Sequence, residues 1–163
     1  MKALILYRSH YGNTKQIAEE MAKELRARGI DPVVADLRRR LPDLTQFDAV
    51  FVGAPTRMAR VTRKALRVLQ RLHKKGLGRK PLALFDTYGP LPATPEELEK
   101  GRKWLFPGAV GLMQAKAEAI GLNVYPKTLR CEVKGMKGPL KDGEKEKVAA
   151  FIDEFARTIS KKA

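Results

Sequence analysis

Six consecutive positions, Ser9 to Thr14, hold three hydroxyls, an imidazole, a carboxamide and a glycine. Ser9, Tyr11 and Thr14 can donate to an anion. Gly12 lets the backbone turn close to a ligand, and Asn13 tolerates unusual backbone angles or caps a helix. Together they make a nest for one terminal phosphate rather than for a pyrophosphate. His10 reads as a loop residue contributing its backbone. Cys131, inside the strand-like run Thr128 to Val133, reads as an inert buried hydrophobe, so the chain offers no nucleophile–base pair.

The motifs of other phosphate and acyl chemistries are missing. A dinucleotide loop needs Gly-x-Gly-x-x-Gly, and Gly12 stands alone. A Walker loop needs Gly-Lys followed by Ser or Thr. A phosphoacceptor domain needs acids after its first and third strands, where this chain has Arg8-Ser9 and Gly53-Ala54. There is no Gly-x-Ser-x-Gly elbow, and no Cys/His cluster that would hold zinc.

The elements around the loop follow from hydrophobic period. Lys2 to Tyr7, with no polar residue between Ala3 and Leu6, reads as a buried strand. Ile17, Ala18, Met21, Ala22 and Leu25 then recur at helical spacing, predicting a helix from about Asn13 to Arg28 that stops at Gly29. Val33 to Ala35 is a second short strand, and Arg38 to Gln46 a polar connection with at most one helical turn. Phe47 to Val52 is a third strand, and about Val61 to Lys74 a helix with one basic face. Pro81 to Phe85 is a fourth strand. Thr94-Pro-Glu-Glu97 is a capping box with proline at the first helical position, so a short helix is expected to about Trp104. Further helices are expected over about Val110–Ile120 and Glu144–Ser160. Leu122–Tyr125 and Thr128–Val133 are strand-like, and Gly135–Gly143 is turn-rich.

Strand and helix alternate five times and the strands are apolar, which predicts a parallel sheet with helices on both faces. Sites in such sheets lie at the carboxyl ends of the strands. Residues 8–14, 53–60 and 86–92 are therefore expected to converge. The 163 residues suit a single domain spanning 1–163, and no apolar run approaches the roughly 18 residues of a membrane span. With one cysteine and no signal-peptide pattern, a cytoplasmic protein is the expectation.

The formal net charge is +15, and residues 57–80 contain no acid. Such charge points to an anionic cofactor, an acidic protein or nucleic acid, or else to a solvated surface of local ion pairs.

Three stretches carry a family resemblance. Ser9-x-Tyr-Gly-Asn-Thr14 resembles the FMN-phosphate loop of flavodoxins and of the flavodoxin domains of A-type flavoproteins. Phe47-Asp-Ala-Val-Phe-Val-Gly-Ala-Pro-Thr56 resembles the family's third strand and second flavin loop. Lys80-Pro-Leu-Ala-Leu-Phe85 resembles its fourth strand, leading to the third loop. The resemblance implies a flavodoxin-like doubly wound α/β fold with a five-stranded parallel sheet, a familiar case of the order 2-1-3-4-5 with FMN at the switch point. It also implies that Ser9, His10, Tyr11, Gly12, Asn13 and Thr14 hold the FMN phosphate. Pro55, Thr56, Arg57 and Met58 would border the isoalloxazine. Asp86, Thr87, Tyr88 and Gly89 would meet its pyrimidine edge, with Tyr88 stacking on the ring. The chain departs from the family in its basic charge, in Met58 where an aromatic is common, and in a longer piece at 90–108. Trp104 and Phe106 in that piece read as local core rather than as a flavin lid.

Three function classes are open at this level. The first is an FMN electron carrier with an acidic redox protein or a small-molecule donor or acceptor as partner. The second is an FMN-dependent NAD(P)H:quinone-type reductase, to which Pro55-Thr-Arg57 is also similar. The third is a flavin-free protein binding anions or nucleic acid, supported by charge alone, with no RNA- or DNA-reading motif. A membrane partner is not expected.

Overall fold

The computed structural model describes residues 1–162. The short apolar runs become five parallel strands, β1 (Lys2–Tyr7), β2 (Asp31–Asp36), β3 (Ala49–Pro55), β4 (Leu82–Tyr88) and β5 (Leu129–Glu132). Their spatial order is β2-β1-β3-β4-β5. The chain moves outward from β1 to β2, then returns past β1 to β3. That reversal opens a crevice between the carboxyl ends of β1 and β3.

Strand side chains alternate between two cores. Ile5, Phe51 and Phe85 face helices α1 (Asn13–Ala27) and α5 (Glu144–Lys162). Leu4, Leu6, Val50, Val52, Leu82 and Leu84 face α2 (Arg63–Lys74) and α4 (Gly108–Ala119). A sheet covered on both faces has no polar alternation, which is why its strands read as continuous apolar runs. Gly53 matters to this packing, because a Cβ there would lie 2.1 Å from the Phe85 ring.

Local chemistry sets the helix starts. Thr62 caps α2 by accepting from the Ala65 N–H at 3.3 Å, so the helix begins two residues later than the apolar pattern suggests. Thr94 caps α3 (Pro95–Leu105) by accepting from the Glu97 N–H, as the capping box predicts. The Arg38–Gln46 connection holds a single 3₁₀ turn at Leu44–Gln46.

Three strand expectations are corrected. Leu122–Tyr125 is not a strand; only Val124 bridges to Leu82, and Pro126 breaks the ladder before it restarts at Leu129. β4 runs on to Tyr88, so Asp86 and Thr87 are strand residues. Phe47, expected as the start of β3, instead closes the 3₁₀ turn as a buried residue. Among the described residues no helix is long and apolar enough to cross a membrane, and no group of His, Cys, Asp and Glu could hold a metal ion.

Candidate functional site

β1 ends at Tyr7, and the next residues must turn into α1 within five positions. Gly12 makes the turn with φ +92°, a left-handed conformation that side-chain-bearing residues rarely adopt. Ser9 Oγ accepts the Gly12 N–H at 3.0 Å and ties the turn to itself. No side chain caps α1, so the N–H groups of its first turn and the positive end of its dipole face the crevice. Thr14 follows, buried, its hydroxyl 2.8 Å from that of Thr87 on β4. One proton joins this pair, leaving the other hydroxyl hydrogen for a group in the crevice.

The crevice is a single cleft walled by all three expected segments: Ser9, His10, Tyr11, Asn13 and Thr14; Pro55, Thr56 and Arg57; Thr87, Tyr88 and Gly89. Gly12 stands behind the first wall as the helix cap. A fourth wall, Val133 and Met136, was not anticipated. It belongs to a turn closed by an antiparallel bridge between Val133 and Leu140 and docked on the first wall by Asn13 Nδ2, which donates to the Lys137 carbonyl at 3.2 Å. The contact spans 124 residues, and the only sequence signal was the glycine-rich turn itself.

Besides Gly12, two expected residues lie outside the wall. Asp86 is fully buried beneath it and does not meet the cleft. Its register partner on β5 is Arg130, whose Nε donates to Asp86 Oδ1 at 2.9 Å. Thr56 Oγ1 and the Val110 N–H donate to Oδ2 at 2.8 and 3.2 Å. Burial pushes the Asp86 carboxyl above the usual range, against the pull of Arg130 and the other donors. Arg130 also donates to the Leu105 carbonyl and lies 4.2 Å from the Tyr88 ring centre. The pair therefore fixes Tyr88 and the α3–α4 junction from below. Met58, the second departure, stands at the mouth. It and Ala59 have φ +49° and +64° in a tight turn closed by reciprocal Arg57–Arg60 backbone hydrogen bonds, a strained conformation beside the site.

Trp104 and Phe106 are not core. Both are exposed, and Ala59 N–H donates to the Trp104 carbonyl at 3.0 Å, so the 90–108 piece edges the cleft. Cys131 is buried and its thiol is pushed up to about 12, chiefly by burial, which makes it the inert residue expected. Partial burial, then the cations Arg57, Arg8 and Arg38, lower the pKa of His10 and favour the neutral ring.

The donor set thus fits an anion at the α1 end, and Tyr88 with the backbone of residues 55–57 and 87–89 fits a flat polar ring at the other. Residues 4–121 match the profile of the family described as "Flavodoxin domain". Over 111 residues, 65% of this chain, the sequence is 31% identical to the protoporphyrinogen IX dehydrogenase (quinone) of Escherichia coli (strain K12), and the chain spans 61% of that relative's length. The fold is similar to a flavodoxin from the domain Archaea, with TM-score 0.76, 21% identity, and 98% and 99% of the two chains covered. It is also similar to flavodoxin 2 of Bacillus cereus, with TM-score 0.71, 23% identity, and 97% and 99% covered.

Proposed function

The chain belongs to the flavodoxin family, and from that premise we propose that it binds FMN in the cleft and acts as a redox protein. The observation that carries the reading is the closure of residues 9–14, 55–57 and 87–89 around one cleft at the start of α1. The first-turn N–H groups of α1, with the Ser9 and Thr14 hydroxyls, would hold the phosphate. Thr56, Arg57, Thr87 and Gly89 would border the ring, and Tyr88 would lie along it. Bound there, FMN would supply one- and two-electron chemistry. The protein binds, orients and sets charge. Arg57, 5.9 Å from the Tyr11 ring at the cleft wall, places a cation where it would favour a reduced, anionic ligand.

The test is a visible spectrum of the purified protein before and after FMN is added. Flavin bands that survive desalting are expected. Ser9→Ala with Thr14→Ala should weaken uptake by about tenfold or more, the loss of two hydrogen bonds to a charged group. Unchanged affinity would remove the phosphate assignment.

The E. coli relative supports a second reading, an enzyme that passes electrons from a reduced substrate to a quinone. Turnover of NAD(P)H with a water-soluble quinone by the FMN-loaded protein would favour it. Reduction and reoxidation only through a protein partner would favour the carrier.

A further inference from the structure

The rim of the cleft exposes a group of large apolar side chains. Met136 is 82% exposed, Met58 74%, Tyr11 and Trp104 47% each, and Phe106 40%. They come from four segments that touch. Ala59 bonds to Trp104, the Phe106 and Tyr88 rings are 6.2 Å apart, and Arg57 and Lys137 each lie 5.9 Å from the Tyr11 ring. Folded monomers seldom gather exposed apolar side chains in this way without a partner.

The same rim is cationic. Arg102 lies 5.7 Å from the Phe106 ring and Lys103 5.2 Å from Trp104, with Arg57, Arg60 and Lys137 around them. None of these five cations takes part in an ion pair among the described residues. Local ion pairs do not account for these charges.

We propose that this rim is the docking surface for an acidic protein, placed so that the partner's own redox centre faces the cleft. The proposal rests on the reading of the cleft as a flavin site. Trp, Tyr, Phe, Met and Arg are the residues enriched at protein interfaces, and all are present in this rim. Cations around them steer an acidic partner and set its orientation. The surface suits a transient complex, which buries less than about 1,200 Å². Two features argue against an anionic membrane. The apolar side chains ring a polar cleft mouth instead of forming one inserting edge. A bilayer would also press on the neighbouring start of α3, where Glu96, Glu97 and Glu99 would meet anionic headgroups. A partner of limited footprint avoids them.

The test is calorimetric titration of the whole protein, with and without FMN, at about 20 and about 200 mM salt, across which screening changes strongly. The probes are an acidic two-iron ferredoxin, cationic cytochrome c, and vesicles of phosphatidylglycerol and phosphatidylcholine. Ferredoxin should bind and weaken at least about tenfold with salt, while cytochrome c does not bind. Arg60→Glu with Lys103→Glu should lower ferredoxin affinity about tenfold with FMN uptake and urea midpoint unchanged. Trp104→Ala should lower it several-fold without altering the salt slope. Equal binding of the two redox proteins, absence of salt dependence, or binding to vesicles but not to ferredoxin overturns the proposal. Protein that takes up FMN and ignores ferredoxin sinks the docking surface alone. Protein that binds ferredoxin and refuses FMN leaves the surface standing and sinks the flavin reading.

Discussion

The two ends of the sheet differ in ways that size does not predict. At the amino ends of the strands lies the roomier cavity, about 610 Å³, lined by Met1, Pro81, Tyr125, Lys127 and Glu154 among others. At the carboxyl ends lies the cleft, about 50 Å³. The large cavity faces helix carboxyl termini, and Lys127 and Glu154 in its lining pair with each other. The small cleft faces the uncapped start of α1, with hydroxyls, a stacked tyrosine and unpaired cations around it. A parallel α/β sheet makes this difference by its connectivity. Every helix that follows a strand begins at the carboxyl edge, so positive dipole ends and free N–H groups gather there. Donors and field mark a binding site for an anionic cofactor; empty volume does not.

Variants can break or sharpen this contrast. The largest effect is expected at the pair beneath the cleft. Arg130→Met strands the buried Asp86 carboxylate and should lower unfolding free energy by about 3–5 kcal/mol, read by urea denaturation. Lys127→Met, which breaks a pair with solvent on both sides at the other end, should leave the urea midpoint unchanged. Comparable losses from the two would erase the distinction between a buried and a solvated end.

Next comes ligand uptake. Gly12→Val forces a β-branched residue to φ +92° in the turn before α1, and should raise the FMN dissociation constant about a hundredfold. Fluorescence titration measures it, and Glu154→Ala at the opposite cavity should leave that constant alone.

The smallest effect concerns Asp36, at the carboxyl end of β2. Its carboxyl is held below the usual range, first by the Arg38 side-chain hydrogen bond. A depressed folded pKa gives stability that is present above the unfolded value near 3.8 and is lost as pH falls through the folded one. Asp36→Asn should therefore flatten stability between about pH 5 and pH 3, with wild type and variant converging at the acid end. Convergence at neutral pH instead would contradict the assignment.

Much of this was legible in the chain because it is local. The run Lys2–Tyr7, the glycine of the first loop and the capping box at Thr94 each settle their own geometry. What was misread depends on distant partners. Asp86 and Thr87 look like loop residues because they are polar. They continue β4 because Arg130, Thr56 and Thr14 satisfy them inside the fold. Leu122–Tyr125 looks like a strand by composition, but the chain turns at Pro126 before it can pair along its length. Trp104 and Phe106 look like core by type, yet the 90–108 excursion has no sheet face left to cover. Met136 escaped notice because a methionine in a turn carries no pattern until the turn is seen folded against Asn13.

Thr56 has one more consequence, and it is a matter of time. Its oxygen accepts the Ala109 N–H at 2.7 Å while its hydrogen goes to Asp86, and Val110 N–H goes to the same carboxylate. Amides in the first turn of a helix ordinarily trade hydrogen for deuterium quickly, because nothing holds them. Those of Ala109 and Val110 are held by Thr56, just past β3, and by the buried Asp86 of β4, so they should exchange as slowly as the central strands do. The start of α4 would then keep the clock of the sheet, while the start of α1, open to the cleft, runs fast until a ligand slows it.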